Sequence, residues 1–447
     1  MQNRISYFDR SFPGGRLLLA GTSRAFIAPN RLTSGPATPR GLFPADKKDW
    51  GPRFGLAFRP FNNSRTAIRA GYGIFYTMAD GQTERQLERN PPGAAIAAVS
   101  ADQDANSTGP NAIRVADLFP ATGTPASRPL IYTDIGFKPA SYIQQWNLTI
   151  QQSLPGNTVV ELGYLGSKGT HLIAYTQGNQ APLDADPSHP TLLISRQPFP
   201  LWGASLRTTQ DSVNSSYQAA FVKVERRLSH GLSFLTHFTF SKDLSTISDI
   251  NESAANFYNL RLDRGRSLND IGRNALVAIT WEIPVGPGKS VLTAGPLSKI
   301  LGNWMTSSIV SLRGGFPFGV QASGDVCNCS LSGDERAQQV GDPRSGFTQS
   351  RVKWFNTAAF IQPRQGTFGN SGQHILSGPG AADVDFTLFR IMRFRERAEV
   401  QIRGEFFNIF NRVNFGNPSA TVGTASYGII TSAAAARVIQ FAMKFQF

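Results

Sequence analysis

The residues that could support catalysis are few, and their spacing does not fit a known chemistry. Gly288-Lys289-Ser290 resembles the end of a phosphate-binding loop, but Ile283 occupies the position of its first glycine. Gly71-Tyr72-Gly73 begins like a dinucleotide-binding loop, whereas Tyr76 replaces the third glycine. Zinc-protease and nucleophile-elbow motifs do not occur. We therefore expect no catalytic residue, no cofactor and no enzyme activity.

Metal-binding side chains are dispersed along the chain. The only cysteines, Cys327 and Cys329, are one residue apart, which fits neither a disulfide framework nor a zinc pattern. A disulfide within this loop and two free thiols both remain open. No metal site is predicted from the histidines, which are His171, His189, His230, His237 and His374.

The composition favours many strands joined by polar turns. Only 17% of the 447 residues are charged, while Gly (43), Pro (28) and Phe (32) are plentiful. The net charge of +14 could indicate a nucleic-acid partner. However, Lys and Arg occur singly or in short groups such as Arg226-Arg227, without a basic run. We therefore predict no nucleic-acid binding.

The last strand of the chain alternates strictly between two faces. Along 437–447 one face is apolar and largely aromatic, and the other is polar or small. A terminal Phe on such a strand is typical of outer-membrane β-barrels, and we expect the aromatic face to signal to the outer-membrane assembly machinery. The predicted signal residues are Phe441, Phe445 and Phe447.

Alternation recurs from Phe54 onward and gives roughly eleven strands. The connections between them alternate in length, as the periplasmic turns and outer loops of membrane barrels do. The link 284–303 takes a short-turn position but is longer than the others. The predicted short turns are 61–64, 154–157, 228–231 and 393–397, and the predicted long connections are 77–141, 167–216, 243–272, 314–382 and 411–436.

A β-barrel in lipid predicts two sets of residues with distinct positions. Aromatic side chains near strand ends would form interfacial girdles, and polar neighbours of the apolar face would line the lumen. A large soluble sandwich with core aromatics is the alternative. The predicted interfacial aromatics are Tyr72, Tyr76, Trp146, Tyr164 and Trp281. The predicted lumen-facing residues are Gln145, Asn147, Gln401, Arg403 and Glu405.

Several segments also resemble a known family. Together they are similar to the C-terminal barrel half of Oar-like TonB-dependent receptors, and they spread from about residue 50 to the end. They are WGPRFGLAF (50–58), RAGYGIFY (69–76), QQWNLTIQ (144–151), ELGYLGSKGTHL (161–172), WFNTAAF (354–360), FGNSG (368–372) and EFFNIFNRVNFGNP (405–418).

The resemblance implies an all-β fold: a transmembrane antiparallel β-barrel, present here as about half of a 22-stranded barrel. It also implies a plug, a carboxypeptidase-regulatory-like domain and a TonB box, none of which is recognisable, nor is a signal peptide. We therefore expect residues 1–50 to be an extracellular-loop remnant and residues 51–447 to be the C-terminal half of the barrel domain, in a fragment, a split gene or a chain with a late start.

The implied function is nutrient uptake in the cell outer membrane. The expected partners are outer-membrane lipid, the assembly machinery, an unknown nutrient ligand and TonB, the last only through the missing plug and box. Loops 77–141 and 314–382 are candidates for ligand capture, although they could merely solvate the barrel mouth. The alternatives are a passive porin or adhesion-type outer-membrane protein, and a secreted β-rich carbohydrate-binding protein.

Overall fold

The computed structural model describes most of the chain and is dominated by β-strands. The described residues are 6–28, 31–38, 48–61, 65–76, 131–132, 140–188, 191–202, 206–249, 252, 254–329, 335–394 and 398–447. The predicted turn Asn62-Asn63-Ser64 and nearly all of the predicted loop 77–141 lie outside them.

The strands are numbered here in chain order. They are β1 (Ser6–Asp9), β2 (Arg16–Leu19), β3 (Arg24–Ala28), β4 (Arg31–Ser34), β5 (Arg53–Phe58), β6 (Thr66–Tyr76), β7 (Ile131–Tyr132), β8 (Tyr142–Leu154), β9 (Thr158–Gln177), β10 (Arg207–Ser229), β11 (Leu232–Ser245), β12 (Gly265–Arg266), β13 (Arg273–Glu282), β14 (Trp304–Arg313), β15 (Pro317–Phe318), β16 (Gln338–Gln339), β17 (Phe360–Ile361), β18 (Leu376–Ser377), β19 (Ala381–Phe394), β20 (Ala398–Phe407) and β21 (Val438–Gln446).

Helices are short and lie between strands. The α-helices are Leu193–Arg196 and Pro296–Leu301, and the 3-10 helices are Pro200–Trp202, Leu260–Asp263 and Thr357–Ala359. Within the described residues, no helix is both long and apolar enough to cross a membrane.

One large sheet contains the strands predicted from alternation. Its order is β21-β20-β19-β14-β13-β11-β10-β9-β8-β6-β5, with β12 and β7 attached beside this path. Every pair along the path is antiparallel. The principal strands that follow each other along the chain therefore also pair in space, which is the up-and-down order of a membrane barrel. The predicted all-β fold and the number of principal strands are confirmed.

Turn residues explain where the chain reverses. Between β10 and β11, His230 and Gly231 have positive φ values of 52° and 75°. Two successive left-handed residues form the type of turn whose twist matches antiparallel strands. Between β8 and β9, Gly156 and Asn157 also have positive φ, 74° and 57°. His230 thus has a structural role in a hairpin.

The predicted parity of the connections is confirmed among the described strands. Short turns join β8 to β9 and β10 to β11, only three residues separate β19 from β20, and long segments separate the intervening pairs. Residues 395–397 of the predicted turn 393–397 lie outside the described residues. The link from β13 to β14 is longer than the other short turns because it contains the helix Pro296–Leu301.

Strands β9 and β10 are longer than the sequence pattern predicts. We expected a loop from 167 to 216, but β9 continues to Gln177 and β10 begins at Arg207. Here Ala174 and Tyr175 are both buried. When both faces of a strand are covered, polar and apolar residues no longer alternate, and the strand signal weakens.

Residues 6–34 form a separate four-stranded antiparallel sheet in the order β1-β2-β3-β4. Its inner residues Phe8 and Leu17 pack against Phe199, Trp202 and Leu206 from the β9–β10 connection. The Trp202 indole N–H also donates to the Gly14 carbonyl oxygen at 3.0 Å. This segment was expected only as a loop remnant. Its strands have only four or five residues each, and β1 and β2 are buried along almost their whole length, so alternation is not visible in them.

Candidate functional site

The large sheet has one almost entirely apolar face. Apolar side chains lie opposite each other on neighbouring strands across most of the sheet. One such row joins Phe58, Ile68, Ile150, Leu162, Val222, Phe238, Ala275 and Leu312. Many large apolar side chains of this face are exposed, including Leu148 (46%), Phe240 (56%) and Phe441 (80%). An exposed apolar surface of this extent requires an apolar medium or a partner to cover it.

The opposite face is mostly polar. In one row, Gln151 lies across from Glu161, which is followed by Lys223 and His237. Side chains on this face also pair with each other, as in Lys223 Nζ to Glu225 Oε2 at 2.9 Å. A sheet with one apolar and one hydrated face can separate lipid from water.

The predicted interfacial aromatics all project from the apolar face, by register. The hydroxyl of Tyr72 donates to Gln144 Oε1 at 2.8 Å, and the hydroxyl of Tyr164 donates to Gln218. The rings of Tyr76 and Tyr142 lie 5.8 Å apart. Polar tips with partners on an exposed apolar face suit a membrane interface, but the girdle itself stays a prediction. The predicted set is Tyr72, Tyr76, Trp146, Tyr164 and Trp281.

The predicted lumen-facing residues all lie on the polar face. Arg403 Nε is 3.4 Å from Glu405 Oε1, and the Gln440 amide donates to Glu405 Oε2 at 3.0 Å. Gln145 and Asn147 are exposed on β8, and Gln401 lies opposite Lys444 on β21. The structure thus groups them on one surface, and their role in a lumen stays a prediction.

The predicted assembly signal lies on the edge strand β21 and on the residue that follows it. Phe441, Phe445 and Phe447 are 80%, 59% and 94% exposed. The rings of Phe445 and Phe447 are 5.6 Å apart, and Phe441 contacts Phe406 with ring centroids 6.5 Å apart. These aromatic side chains are available to a partner, and recognition by the assembly machinery stays a prediction.

Connections at one end of the sheet pack together into a unit that we call the cap. The cap comprises the described residues within 178–206, 246–272, 314–380 and 408–437. Its main hydrophobic core surrounds Phe355, whose ring lies 5.8 Å from that of Phe318 and 5.5 Å from that of Tyr427. The buried residues of this core are Phe318, Val320, Ala337, Phe355, Ala359, Phe360 and Leu376. The cap therefore has a core of its own, beyond what solvation of a barrel mouth requires.

Polar contacts link the segments of the cap. Arg336 donates to Asp263 and to the Leu262 carbonyl oxygen, the latter at 2.8 Å. Arg196 donates to the Asn328 carbonyl oxygen at 2.6 Å. Arg266, the partner of Asp270 at 2.7 Å, also donates to Ser377 Oγ at 2.8 Å. These contacts join residues that are far apart in sequence, and the pattern along the chain does not predict them.

Two carboxyl groups, those of Asp325 and Glu335, lie beside the two cysteines in the cap. The structure joins Cys327 to Cys329 in a disulfide, one of the two states that the sequence left open. Donor atoms of Asp325, Cys327 and Glu335 lie within 4.8 Å of one another, which is close enough to share a metal ion. The sequence did not indicate this group. However, a disulfide sulfur is not a thiolate ligand, so the oxidised form lacks the sulfur donor.

Glu335 is the most perturbed carboxyl group of this cluster. Its side chain is 1% exposed and accepts the Cys327 backbone N–H at 3.0 Å. Burial raises the pKa of Glu335 to about 8; the Cys327 N–H opposes this shift, and the neighbouring Asp325 carboxyl adds to it. The protonated form is therefore substantially populated at neutral pH.

The family now follows from the sequence comparison. The family model described as an outer membrane beta barrel domain matches residues 1–440. The chain belongs to this family, and its place is the outer membrane. No curated protein matches the sequence.

Solved structures with similar folds include outer-membrane transporters and receptors. The outer membrane transporter YddB from Escherichia coli is 10% identical with a TM-score of 0.47, covering 89% of this chain and 40% of that chain. BauA, the ferric preacinetobactin receptor from Acinetobacter baumannii, is 10% identical with a TM-score of 0.41, covering 89% and 36%. The FrpB iron transporter from Neisseria meningitidis is 10% identical with a TM-score of 0.40, covering 89% and 39%.

The chain therefore spans 40% or less of the length of these three proteins. Their TM-scores are low, so the similarities support no inference about a ligand or a mechanism.

Proposed function

We propose that the chain is the barrel part of an Oar-like TonB-dependent receptor, a nutrient uptake channel whose cap captures the ligand. The observation that favours this function is the cap, in which long connections from one end of the sheet share a hydrophobic core around Phe355. A passive pore needs an open mouth, whereas a receptor needs a rigid binding surface. The family-like segments in 50–58 and 405–418 also support it.

The two faces of the sheet have separate roles in this proposal. The apolar face contacts lipid, with the girdle aromatics at its boundaries, and Phe447 closes the strand that the assembly machinery recognises. The polar face, with Gln145, Asn147 and Arg403, lines the path of the nutrient. Energy comes from the inner-membrane proton gradient through TonB.

Uptake by cells tests the energy requirement. Cells carrying the gene are grown on limiting iron, cobalamin, nickel or oligosaccharides, with and without TonB and with and without a protonophore. We expect a growth or uptake advantage on one nutrient that disappears when TonB or the proton gradient is removed. An advantage that persists without both would contradict the proposal.

A passive porin or adhesion-type protein is the second candidate, because the polar face suits water as well as a plug. Swelling of proteoliposomes in arabinose or raffinose distinguishes the two. A porin admits the sugar and the vesicles swell, whereas we expect the complete receptor to stay closed. The secreted carbohydrate-binding alternative disagrees with the outer-membrane family assignment.

A further inference from the structure

The cap contains a small polar cavity between two of its segments. Its volume is about 100 Å³, and it lies where 246–272 meets 314–380. Charged and polar side chains dominate its walls: Glu252, Asp263, Arg336, Gln373 and His374. The hydrophobic core of the cap lies beside it, because Val320 belongs to both.

Most polar atoms of the cavity have partners within the cap. Glu252 Oε1 accepts the Gln373 amide N–H at 2.8 Å and lies 3.2 Å from His374 Nε2. Glu252 Oε2 accepts the Ser248 backbone N–H at 2.6 Å. Asp263 Oδ1 accepts a hydrogen bond from Arg336 and another from the Ala255 backbone N–H at 3.2 Å. These contacts fix the orientation of the walls.

Two acceptor atoms remain unsatisfied. Asp263 Oδ2 and Gln373 Oε1 are buried and have no hydrogen-bond partner among the described residues. Asp263 is only 3% exposed. Because the Gln373 amide nitrogen donates to Glu252, the free atom of Gln373 must be its oxygen. A buried acceptor without a donor is unfavourable, so both atoms favour a donor beyond those that the described residues supply.

We propose that this cavity binds a protonated primary amine, held by Asp263, Gln373 and Glu252. An ammonium group carries three N–H donors and no acceptor, which complements two unsatisfied oxygens. It also supplies positive charge to a site whose two carboxylates face one guanidinium and one imidazole. The ligand class is a nutrient or peptide that presents a terminal ammonium group. This assignment rests on the proposed function, because it names the ligand of the same cap.

The electrostatics of the site agree with a bound cation. Burial raises the pKa of Asp263, although Arg336 opposes this shift. A second positive charge beside the carboxylate would further offset the cost of its burial. A metal ion suits the site less well: among the described residues, the three-residue donor group close enough to share one ion is Asp325, Cys327 and Glu335, outside this cavity.

The size of the cavity limits the group that can enter. A volume of 100 Å³ accommodates an aminomethyl or aminoethyl group, or several water molecules, each of which needs ~10 to 15 Å³ of such space. The rest of a larger ligand must therefore lie outside the cavity. Water alone, donating to Asp263 and Gln373, is the outcome that the experiment must exclude.

The test is an NMR titration of the full chain in detergent micelles or nanodiscs, with 15N-labelled alanine. The reporter is the Ala255 amide, which donates to Asp263 and is assigned by its loss in Ala255→Gly. The probes are ethylammonium, ethanol, which lacks the charge, and tetramethylammonium, which lacks N–H donors. We expect a saturable shift with ethylammonium alone, with a Kd of about 1 mM at best for so few atoms.

Two variants and one control keep the result interpretable. Asp263→Asn and Gln373→Met should each weaken ethylammonium binding at least about tenfold, which corresponds to the loss of one charge-assisted hydrogen bond. Asp342→Asn, an exposed aspartate outside the cavity in the same segment, should bind like the unaltered chain. If Asp263→Asn does not fold, Gln373→Met and the selectivity among the three probes still decide the question.

Equal shifts with ethylammonium and either other probe, or no saturable shift at all, would overturn the proposal and leave a water-filled cavity. These outcomes are independent of transport. Uptake without TonB would refute the proposed function while leaving ethylammonium binding intact, and absent binding would refute this inference while leaving TonB-dependent uptake intact.

Discussion

Single residues show which features can be inferred from a sequence. His230 and Gly231 stand between two alternating runs, so their hairpin turn can be recognised locally. Glu335 carries no such signal. Its raised pKa depends on burial against Asp325 and on a backbone N–H from Cys327, and these surroundings exist only after folding. The same is true of Asp263, whose partner Arg336 is 73 positions away.

The raised pKa of Glu335 makes the stability of the cap depend on pH. The folded-state pKa of about 8 lies above the ordinary value of 4.5. The protonated Glu335 carboxyl group therefore contributes fully to the stability of the cap below pH 4.5. This contribution is lost as the pH rises toward 8, by up to about 1.4 kcal/mol per pH unit. Glu335→Gln cannot ionise and still accepts the Cys327 N–H. We expect the cap of this variant to be as well protected from hydrogen exchange as that of the unaltered chain at pH 5, and better protected at pH 8.5.

Hydrogen exchange of the peptide around Cys327, corrected for the intrinsic effect of pH, measures this difference. Glu282→Gln, which removes the partner of Lys289 outside the cap, serves as the control and should show no such pH dependence at Cys327. Identical protection of Glu335→Gln and the unaltered chain at both pH values would show that ionisation of Glu335 does not destabilise the cap.

At the scale of elements, the strands were predictable and the cap was not. Alternation gives the principal strands of the large sheet because one face meets apolar and the other polar surroundings. The signal fades where β9 and β10 enter the cap, and it is absent in β1 (Ser6–Asp9), where all residues are buried. The cap depends on contacts between segments without regular structure, such as Gln373 with Glu252, 121 positions apart.

The cap core should unfold separately from the sheet. Phe355 is 2% exposed and contacts three aromatic rings, so Phe355→Ala should cost about 3 to 5 kcal/mol. Phe410→Ala, which truncates a Phe that is 77% exposed in the same cap, should cost little. Limited proteolysis would show faster cleavage of 314–380 in Phe355→Ala, while heat-modifiable gel mobility, a property of the barrel, remains.

Loss of heat-modifiable mobility in Phe355→Ala would show that the cap and the sheet fold as one cooperative unit. Unchanged proteolysis in both variants would show that the aromatic cluster contributes little to the order of the cap.

At the scale of the whole molecule, the distribution of polar and apolar side chains over the two faces of the sheet indicates whether water or lipid surrounds the protein. A soluble sheet protein buries its apolar face, whereas here Phe441 and Met443 are 80% and 75% exposed. The period of two is the same in both cases, so alternation alone cannot distinguish a core from a lipid surface. The parity of the connections indicated the membrane, and the outer-membrane family match establishes it.

A charge on either face of β21 tests this orientation. Phe441→Arg places a guanidinium on the apolar face and should cost roughly 2 to 4 kcal/mol near the middle of the membrane. Gln440→Arg places the same group on the polar face beside Glu405 and should be mild. Denaturant unfolding in lipid vesicles measures both, and equal losses would refute the assigned faces.

The length of β10 has a consequence for access from outside the cell. A strand of 23 residues is about 75 Å long at ~3.3 Å per residue, whereas a tilted membrane strand needs only about 9 to 11 residues. Roughly half of β10 therefore projects beyond the lipid. In the proposed orientation, the projecting half of β10 raises the cap toward the height of the lipopolysaccharide sugars. There, antibodies and bacteriophages can reach it without entering the pore.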